Sequence, residues 1–265
     1  MVDLYQQLEA AILEPDTRQK CAMTEALYRN WRLGDVEVDA RSPILAIDDP
    51  GRPARPLLVD PRNLKRRSVA SVGGRIILLH AFAHIEFNAI NIALDAAYRF
   101  RDLPRQYTGD WLRVAREEAC HFQLLDQALV ERNSYYGAFP AHRGLWDMVC
   151  KTRHDALLRM ALVPRVMEAR GLDVTPAMID KFQQVGDAAA VAILKRIYRD
   201  EIEHVRIGNF WYQTLCEHRQ LDPVATFRCL LDEYMGGPPR GPFNWPARIQ
   251  AGFAEQELSD LERGI

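Results

Sequence analysis

Glu117-Glu118-Ala119-Cys120-His121 and Asp200-Glu201-Ile202-Glu203-His204 are the two stretches that decide how this chain folds. Each places an acidic pair before a histidine, inside a long segment whose apolar residues recur with helical spacing. Residues three apart on a helix project from one face, so Glu118 lies beside His121 and Glu201 beside His204. The sequence therefore predicts two helices that each present a Glu-x-x-His pair.

A single carboxylate stands upstream of each pair at nearly the same distance along the chain. Glu86 precedes Glu118 by 32 residues, and Glu168 precedes Glu201 by 33. Both upstream glutamates lie in segments with helical apolar spacing. The chain is therefore predicted to contain two helical hairpins, each supplying one glutamate and one Glu-x-x-His pair.

The neighbours of both pairs are apolar, which distinguishes them from a chance match. One Glu-x-x-His alone is commonly part of a solvated helix face. Here the neighbours are Leu112, Ala115, Ala119, Phe122 and Leu125 for the first pair, and Ile193, Leu194, Ile197, Ile207 and Phe210 for the second. Buried carboxylates need compensating charge. Four carboxylates with two neutral imidazoles have a total charge that two divalent cations would balance.

This ligand set resembles that of the ferritin-like dinuclear carboxylate proteins, in which two helices each give a glutamate and two others each give a Glu-x-x-His. The resemblance implies an all-α, ferritin-like four-helix bundle with a long crossover and additional N- and C-terminal helices. The ligands it implies are Glu86, Glu118, His121, Glu168, Glu201 and His204. A carboxylate-rich set with imidazole and no cysteine favours two iron ions, with manganese as the alternative, over a structural zinc.

Three parts are expected along the chain. Residues 1–70 are predicted to form an N-terminal helical appendage and an extended Pro/Arg-rich connection, residues 71–219 the bundle, and residues 220–265 a C-terminal helical extension. The bundle helices are predicted over residues 72–100, 107–132, 145–170 and 188–218. Pro164 is expected to kink the third helix and Gly171 to end it in a left-handed conformation. A short helix is expected to restart at residues 173–176, and residues 247–263 to form one final helix.

Four strings also resemble a bacterial ferritin-like group known as domain-of-unknown-function family 455. They lie at residues 83–90, 114–121, 139–142 and 164–173. The resemblance covers most of the chain from about residue 40 onward, and no ligand position departs from the pattern. It supports the fold and the ligand set, but this family carries no assigned reaction.

Composition is that of an ordinary soluble globular protein. The 265 residues are 48% hydrophobic and 26% charged, with a formal net charge of −2, which gives no overall attraction to nucleic acid or to an anionic membrane. No membrane span or signal peptide is expected, and five scattered cysteines suit reduced core thiols, so a cytoplasmic location is predicted.

Some polar residues near the predicted ligands have more than one interpretation. Glu117 and Asp200 each precede a ligand glutamate and are predicted to accept a hydrogen bond from a ligand histidine of the other helix pair; the alternative is a solvated surface position. His80 and His84 are expected on a surface or interface, since His84 lies about 200° from Glu86 around the helix. Gly208, one turn after His204, is expected to leave room beside the metal.

Two classes of function follow. The first is an oxygen-activating oxidoreductase, such as a hydroxylase or monooxygenase, acting on an unknown small organic substrate with dioxygen and an external electron donor. The second is a ferroxidase or iron-handling protein with ferrous iron as substrate, or a metal-binding protein without catalysis. Nearly half of the chain lies outside the compact four-helix unit that a storage protein needs, which favours an enzyme. A tRNA-modifying role rests only on a basic patch that includes Arg62, Lys65, Arg66 and Arg67, and a homo-oligomer stays open.

Overall fold

The chain is all-α in the computed structural model, which describes residues 3–39, 41–64 and 68–264. Extended pairing in these residues is limited to isolated bridges between Asp3 and Glu37 and between Leu58 and Ala141. The chain divides into two compact units, Met1–Cys150 and Lys151–Ile265. The predicted all-α class is confirmed.

The first unit is built around one long helical hairpin. Its helices are α1 (Leu4–Leu13), α2 (Thr17–Leu33), α3 (Val72–Arg99), α4 (Arg105–Val130) and the start of α5 (Gly144–Thr152). Helix α3 packs along α4, α1 packs against α3, and α2 packs against α4. The side chains of Asp3, Asp16 and Ser71 accept hydrogen bonds from the first backbone N–H groups of α1, α2 and α3, which are the caps that such residues commonly provide.

A long connection without regular structure joins helices α2 and α3, as the prolines in this part of the sequence predict. The described part contains no α-helix and only a 3-10 turn at Pro61–Asn63. Leu45 N donates to the Tyr98 hydroxyl at 2.9 Å, and Arg101 donates to Ser42 O at 2.7 Å, so the connection is held against the end of α3. Of the predicted basic run, Lys65, Arg66 and Arg67 lie outside the described residues.

The second unit contains a π-helical segment in place of a proline kink. Its elements are α6 (Ala156–Leu162), the π-helical segment (Val163–Glu168), α7 (Ala169–Gln184), α8 (Ala188–His218), α9 (Pro223–Met235), α10 (Trp245–Gln250) and α11 (Glu255–Arg263). Helices α6 and α7 and the π-helical segment all pack against α8. Pro164 has no N–H to donate within the helix, and the widened turn begins one residue before it.

The prediction of one continuous third helix over residues 145–170, ended by Gly171, was wrong. Helix α5 ends at Thr152, and the Asp155 side chain caps a new helix by accepting from Leu157 N at 2.8 Å. Gly171 does not end a helix, because α7 continues through it and through Pro176. The Asp173 carboxylate that was expected to start a new helix instead binds the Arg248 guanidinium, at 2.8 and 2.9 Å.

The single helix predicted over residues 247–263 is also divided. Gly252 adopts a φ of +91° between α10 and α11, a conformation that ends a helix and that glycine adopts at no steric cost.

Helix α3 is long and apolar enough to span a membrane by composition alone. In its most apolar window, 72% is buried inside the protein. Core helices of globular proteins have the same property, and α3 is the central helix of the first unit. The helix carries the side chain of Glu86 into that core.

Candidate metal centre

Three predicted ligands converge in the first unit. The Nδ1 atom of His121 lies 3.2 Å from Glu86 Oε2 and 3.2 Å from Glu118 Oε2. One ligand atom from each residue lies within 4.8 Å of the others. All three side chains are buried, with 4%, 1% and 0% of the surface of Glu86, Glu118 and His121 exposed. The α3/α4 hairpin therefore assembles two carboxylates and an imidazole around one point.

Local sequence explains why these side chains meet. Glu118 and His121 are three apart on α4, which places them on one face. Buried alanines lie one turn before the glutamates, at Ala83 on α3 and Ala115 on α4, and both are 0% exposed. Small side chains at these positions leave the helix contact free for the longer glutamates.

The electrostatics of the cluster favour a bound cation. Burial, and then the negative charge of Glu118, raises the pKa of Glu86 well above its ordinary value, while the hydrogen bond from His121 acts in the opposite direction. Without a cation, the surroundings of Glu86 therefore favour the protonated form of its carboxyl group. A divalent cation stabilises both carboxylates and accepts the lone pair of the imidazole. The donor set therefore fits a metal ion that prefers carboxylate and imidazole ligands.

The second unit contains the matching pair on α8. His204 Nδ1 lies 3.4 Å from Glu201 Oε2, and the histidine is fully buried. Glu168 is the last residue of the π-helical segment, which packs against α8. π-helical turns are rare and occur frequently at functional sites. Glu168 is thus presented by an unusual backbone element that the sequence indicated only through Pro164.

The expected opening at Gly208 is absent because another residue fills it. A Cβ atom at Gly208 would lie 2.2 Å from Pro164 Cβ and 2.3 Å from Pro164 Cγ. These distances are far shorter than any van der Waals contact, so only glycine permits this packing. The prediction that Gly208 leaves room for oxygen or substrate was wrong: its missing side chain lets the π-helical segment pack closely on α8.

The acids that precede the ligand glutamates pair with arginines of their own helices. Glu117 binds Arg113 at 3.1 Å, and Asp200 lies 3.8 Å from Arg196 and 2.9 Å from Arg199. The arginines occupy equivalent positions, so the repeat extends to Arg-x-x-Arg-acid-Glu-x-x-His at residues 113–121 and 196–204. This longer pattern could have been read from the sequence. The role of Glu117 and Asp200 as hydrogen-bond partners of ligand histidines stays a prediction.

His80 and His84 are buried rather than on a surface, which corrects the sequence-based interpretation. They are 2% and 8% exposed. His84 Nδ1 lies 2.8 Å from the Tyr136 hydroxyl, His84 Nε2 lies 2.9 Å from His142 O, and His80 Nε2 accepts from Gly137 N at 2.9 Å. The linker after α4 covers this face of α3, and helical periodicity cannot reveal such a cover.

Comparison with known proteins places the chain in a family. The family model described as "Protein of unknown function (DUF455)" matches residues 13–259. The chain belongs to this family. An "Uncharacterized protein" of Haemophilus influenzae is 45% identical over 268 residues, which cover 97% of this chain and 93% of that protein. No solved structure matches the chain. The family match spans all six predicted ligands but assigns them no chemistry.

Proposed function

We propose that this protein is a dinuclear metal carboxylate protein whose ligands are Glu86, Glu118, His121, Glu168, Glu201 and His204. The observation that carries the proposal is the buried cluster of Glu86, Glu118 and His121, with both carboxylates 3.2 Å from one imidazole nitrogen. A second Glu-x-x-His with the same internal geometry on α8 supports it. The ligand set and its repeat resemble the ferritin-like pattern.

Charge supports two metal ions rather than one. Four of the predicted ligands are carboxylates, and two divalent cations neutralise a set of four. Iron is the proposed metal, because carboxylate and imidazole ligands without thiolate suit iron or manganese better than zinc or copper.

The reaction we propose is the oxidation of a small organic substrate by dioxygen, with an external electron donor. A bound iron pair supplies the capacity to reduce dioxygen. The chain supplies the ligands and a core that excludes water, since His121 and His204 are both fully buried. Burial raises the pKa of Glu86, and a bound cation would oppose that shift by stabilising the carboxylate, so metal binding favours release of a proton from this side chain.

Metal analysis and oxygen consumption test the proposal. Protein purified with chelator, reloaded anaerobically with ferrous iron and desalted should contain about two iron ions per chain. Addition of dioxygen should give a single oxidation event per site, which repeats only when a reductant is supplied. A preparation that reloads with one zinc ion and no iron would contradict the metal assignment.

The same experiment separates the enzyme from iron handling. Sustained oxidation of many equivalents of ferrous iron without a reductant, with mineral formation, would identify a ferroxidase. A matched control is Glu203→Gln, because Glu203 is adjacent in sequence to the predicted ligands but pairs with Arg206 at 2.6 Å. Its iron content should equal that of the wild type.

A further inference from the structure

Arg165 is a buried cation in the π-helical segment that ends at the predicted ligand Glu168. Its side chain is 2% exposed, and it lies three residues before Glu168, inside the segment Val163–Glu168. A buried charge is strongly unfavourable unless it is paired, so an enclosed guanidinium needs partners within the protein. The partners of Arg165 therefore determine where this part of the segment can lie.

Two hydrogen bonds tie the Arg165 guanidinium to two different helices. Its Nη1 atom donates to Asn209 Oδ1 on α8, and its Nη2 atom donates to the Glu257 carboxylate on α11. Asn209 lies on the same helix as the predicted ligand His204, five residues after it. Arg165 thus joins the segment that ends at Glu168 to the helix that carries His204.

The surroundings of the guanidinium hold both contacts in place. Asn209 Nδ2 donates to Ala251 O at 2.6 Å, which leaves the amide oxygen of Asn209 for the guanidinium. The ring centroids of Tyr212, Phe227 and Phe253 lie 4.3, 4.3 and 4.8 Å from the guanidinium carbon, distances at which a cation is attracted to an aromatic face. Segments as far apart in sequence as α8 and the C-terminal helices therefore enclose one side chain of the π-helical segment.

Stability alone does not account for this arrangement. The Nε atom of Arg165 is buried and has no acceptor among the residues that the structure describes, which is unfavourable. Apolar side chains of similar volume can often replace a buried ion pair without loss of stability. The pair of Arg165 and Glu257 differs from such a replacement in its directional hydrogen bonds, which fix one register between the π-helical segment and the helices around it.

We propose that Arg165 is a positioning residue for the metal centre: held by Asn209 and Glu257, it fixes the π-helical turn that carries Glu168 relative to the helix that carries His204. This inference rests on the proposed function, in which Glu168 and His204 are metal ligands. Arg165 itself does not contact the metal. Helix α11, which carries no predicted ligand, contributes to metal binding through Glu257.

The test compares iron binding by the double variant Arg165→Met/Glu257→Met with that by the wild type. Both proteins are prepared with chelator, melted in the metal-free state, and titrated with ferrous iron in the absence of oxygen. The metal-free double variant should melt close to the wild type, yet bind its second equivalent of iron at least about tenfold more weakly. With cobalt(II) in place of iron, the visible absorption of the double variant should differ from that of the wild type, because it depends on ligand geometry.

The matched control is Arg263→Gln. Arg263 also lies on α11 and pairs with Asp260 at 2.6 Å, but its side chain is 56% exposed. Loss of this pair leaves the contacts of Arg165 unchanged, so iron affinity and the cobalt spectrum should equal those of the wild type.

Wild-type iron affinity and an unchanged cobalt spectrum in the double variant would overturn this inference and leave the proposed function intact. A wild type that binds no iron would overturn the proposed function, and this inference with it. If the double variant is unfolded or markedly destabilised, hydrogen exchange of the wild type decides. Coupling between two sites is reciprocal, so metal should slow amide exchange in α11 (Glu255–Arg263) more than in α1 (Leu4–Leu13). Equal exchange in α11 with and without metal would contradict the role of Arg165.

Discussion

Replacement of two acidic residues that are neighbours in the sequence is expected to affect metal binding very differently. Glu118 is 1% exposed and 3.2 Å from His121, whereas Glu117 pairs with Arg113. Glu118→Ala and Glu201→Ala should each remove most of the bound iron, because a metal ligand is lost. Glu117→Ala and Asp200→Ala should retain most of it, with affinity lowered by about 10–100-fold at most.

Elemental analysis of the four variants, prepared and reloaded in parallel, measures this difference. Equal loss of iron from all four would reverse the assignment of the inner and outer carboxylates. The thermal melting temperature of each metal-free variant should be recorded as well, to separate loss of a ligand from loss of fold.

Gly208 is expected to be intolerant of even a methyl group. Gly208→Ala would place a Cβ 2.2 Å from the rigid ring of Pro164, so the backbone would have to move, at a cost of about 1–3 kcal/mol. The displaced segment ends at Glu168, so iron content should fall too. The matched control is Gly73→Ala on α3, where a Cβ meets nothing within 4 Å; that change should be neutral or stabilising. Equal melting temperatures for the two variants would contradict the packing argument.

At the scale of the elements, Lys20 joins three helices of the first unit. Its ammonium donates to Ala11 O and Ile12 O at the end of α1, and to the Asn91 side chain of α3, at 2.8, 2.7 and 2.6 Å. Burial lowers the pKa of Lys20 to about 7. The positive charge also suits the C-terminal end of α1.

Lys20→Met should therefore destabilise the protein by at least about 2 kcal/mol, because it removes a buried donor from three oxygens, of which Ile12 O still accepts from Gly51 N. Urea denaturation followed by circular dichroism measures the change. Lys181→Met is the matched control, since Lys181 is exposed on α7 and its replacement should alter stability by less than about 0.5 kcal/mol. A similar result for both lysines would mean that the contacts of Lys20 contribute little.

At the scale of the whole molecule, the metal-free protein should become less stable as pH rises. Burial raises the pKa of Glu86 in the folded state above its ordinary value of 4.5. Between these two pKa values the folded chain keeps a proton that the unfolded chain has released. The free energy of unfolding therefore falls as pH increases through that window, and the loss is complete above the folded-state pKa.

Comparison with Glu86→Gln isolates this contribution, because the amide does not titrate. In the presence of chelator, the stability of the wild type relative to Glu86→Gln should decrease as pH rises from 4.5 toward neutrality. Metal should reverse the effect in the wild type, because ligand binding to the folded state raises its stability. Parallel stability curves for the two metal-free proteins would show that Glu86 does not titrate in a buried cluster.

The sequence alone determined the features that depend on local spacing. Ser71 caps α3, and the fourth predicted helix, residues 188–218, coincides with α8. Apolar periodicity placed Glu86 in the core. The three-residue spacing of Glu118 and His121 put them on one face of α4, because helix geometry is the same in any context.

Tertiary structure alone decided the features that depend on which segments meet. Asp173 resembles a helix start, but the Arg248 guanidinium occupies its carboxylate, so α7 continues. Helical geometry predicts that His84 lies about 200° from Glu86 around the helix. It does not predict that the linker after α4 buries that face. Gly208 is a free position on an isolated helix, yet Pro164 fills it in the folded unit. In each case the deciding partner is more than forty residues away along the chain, beyond the reach of any local pattern.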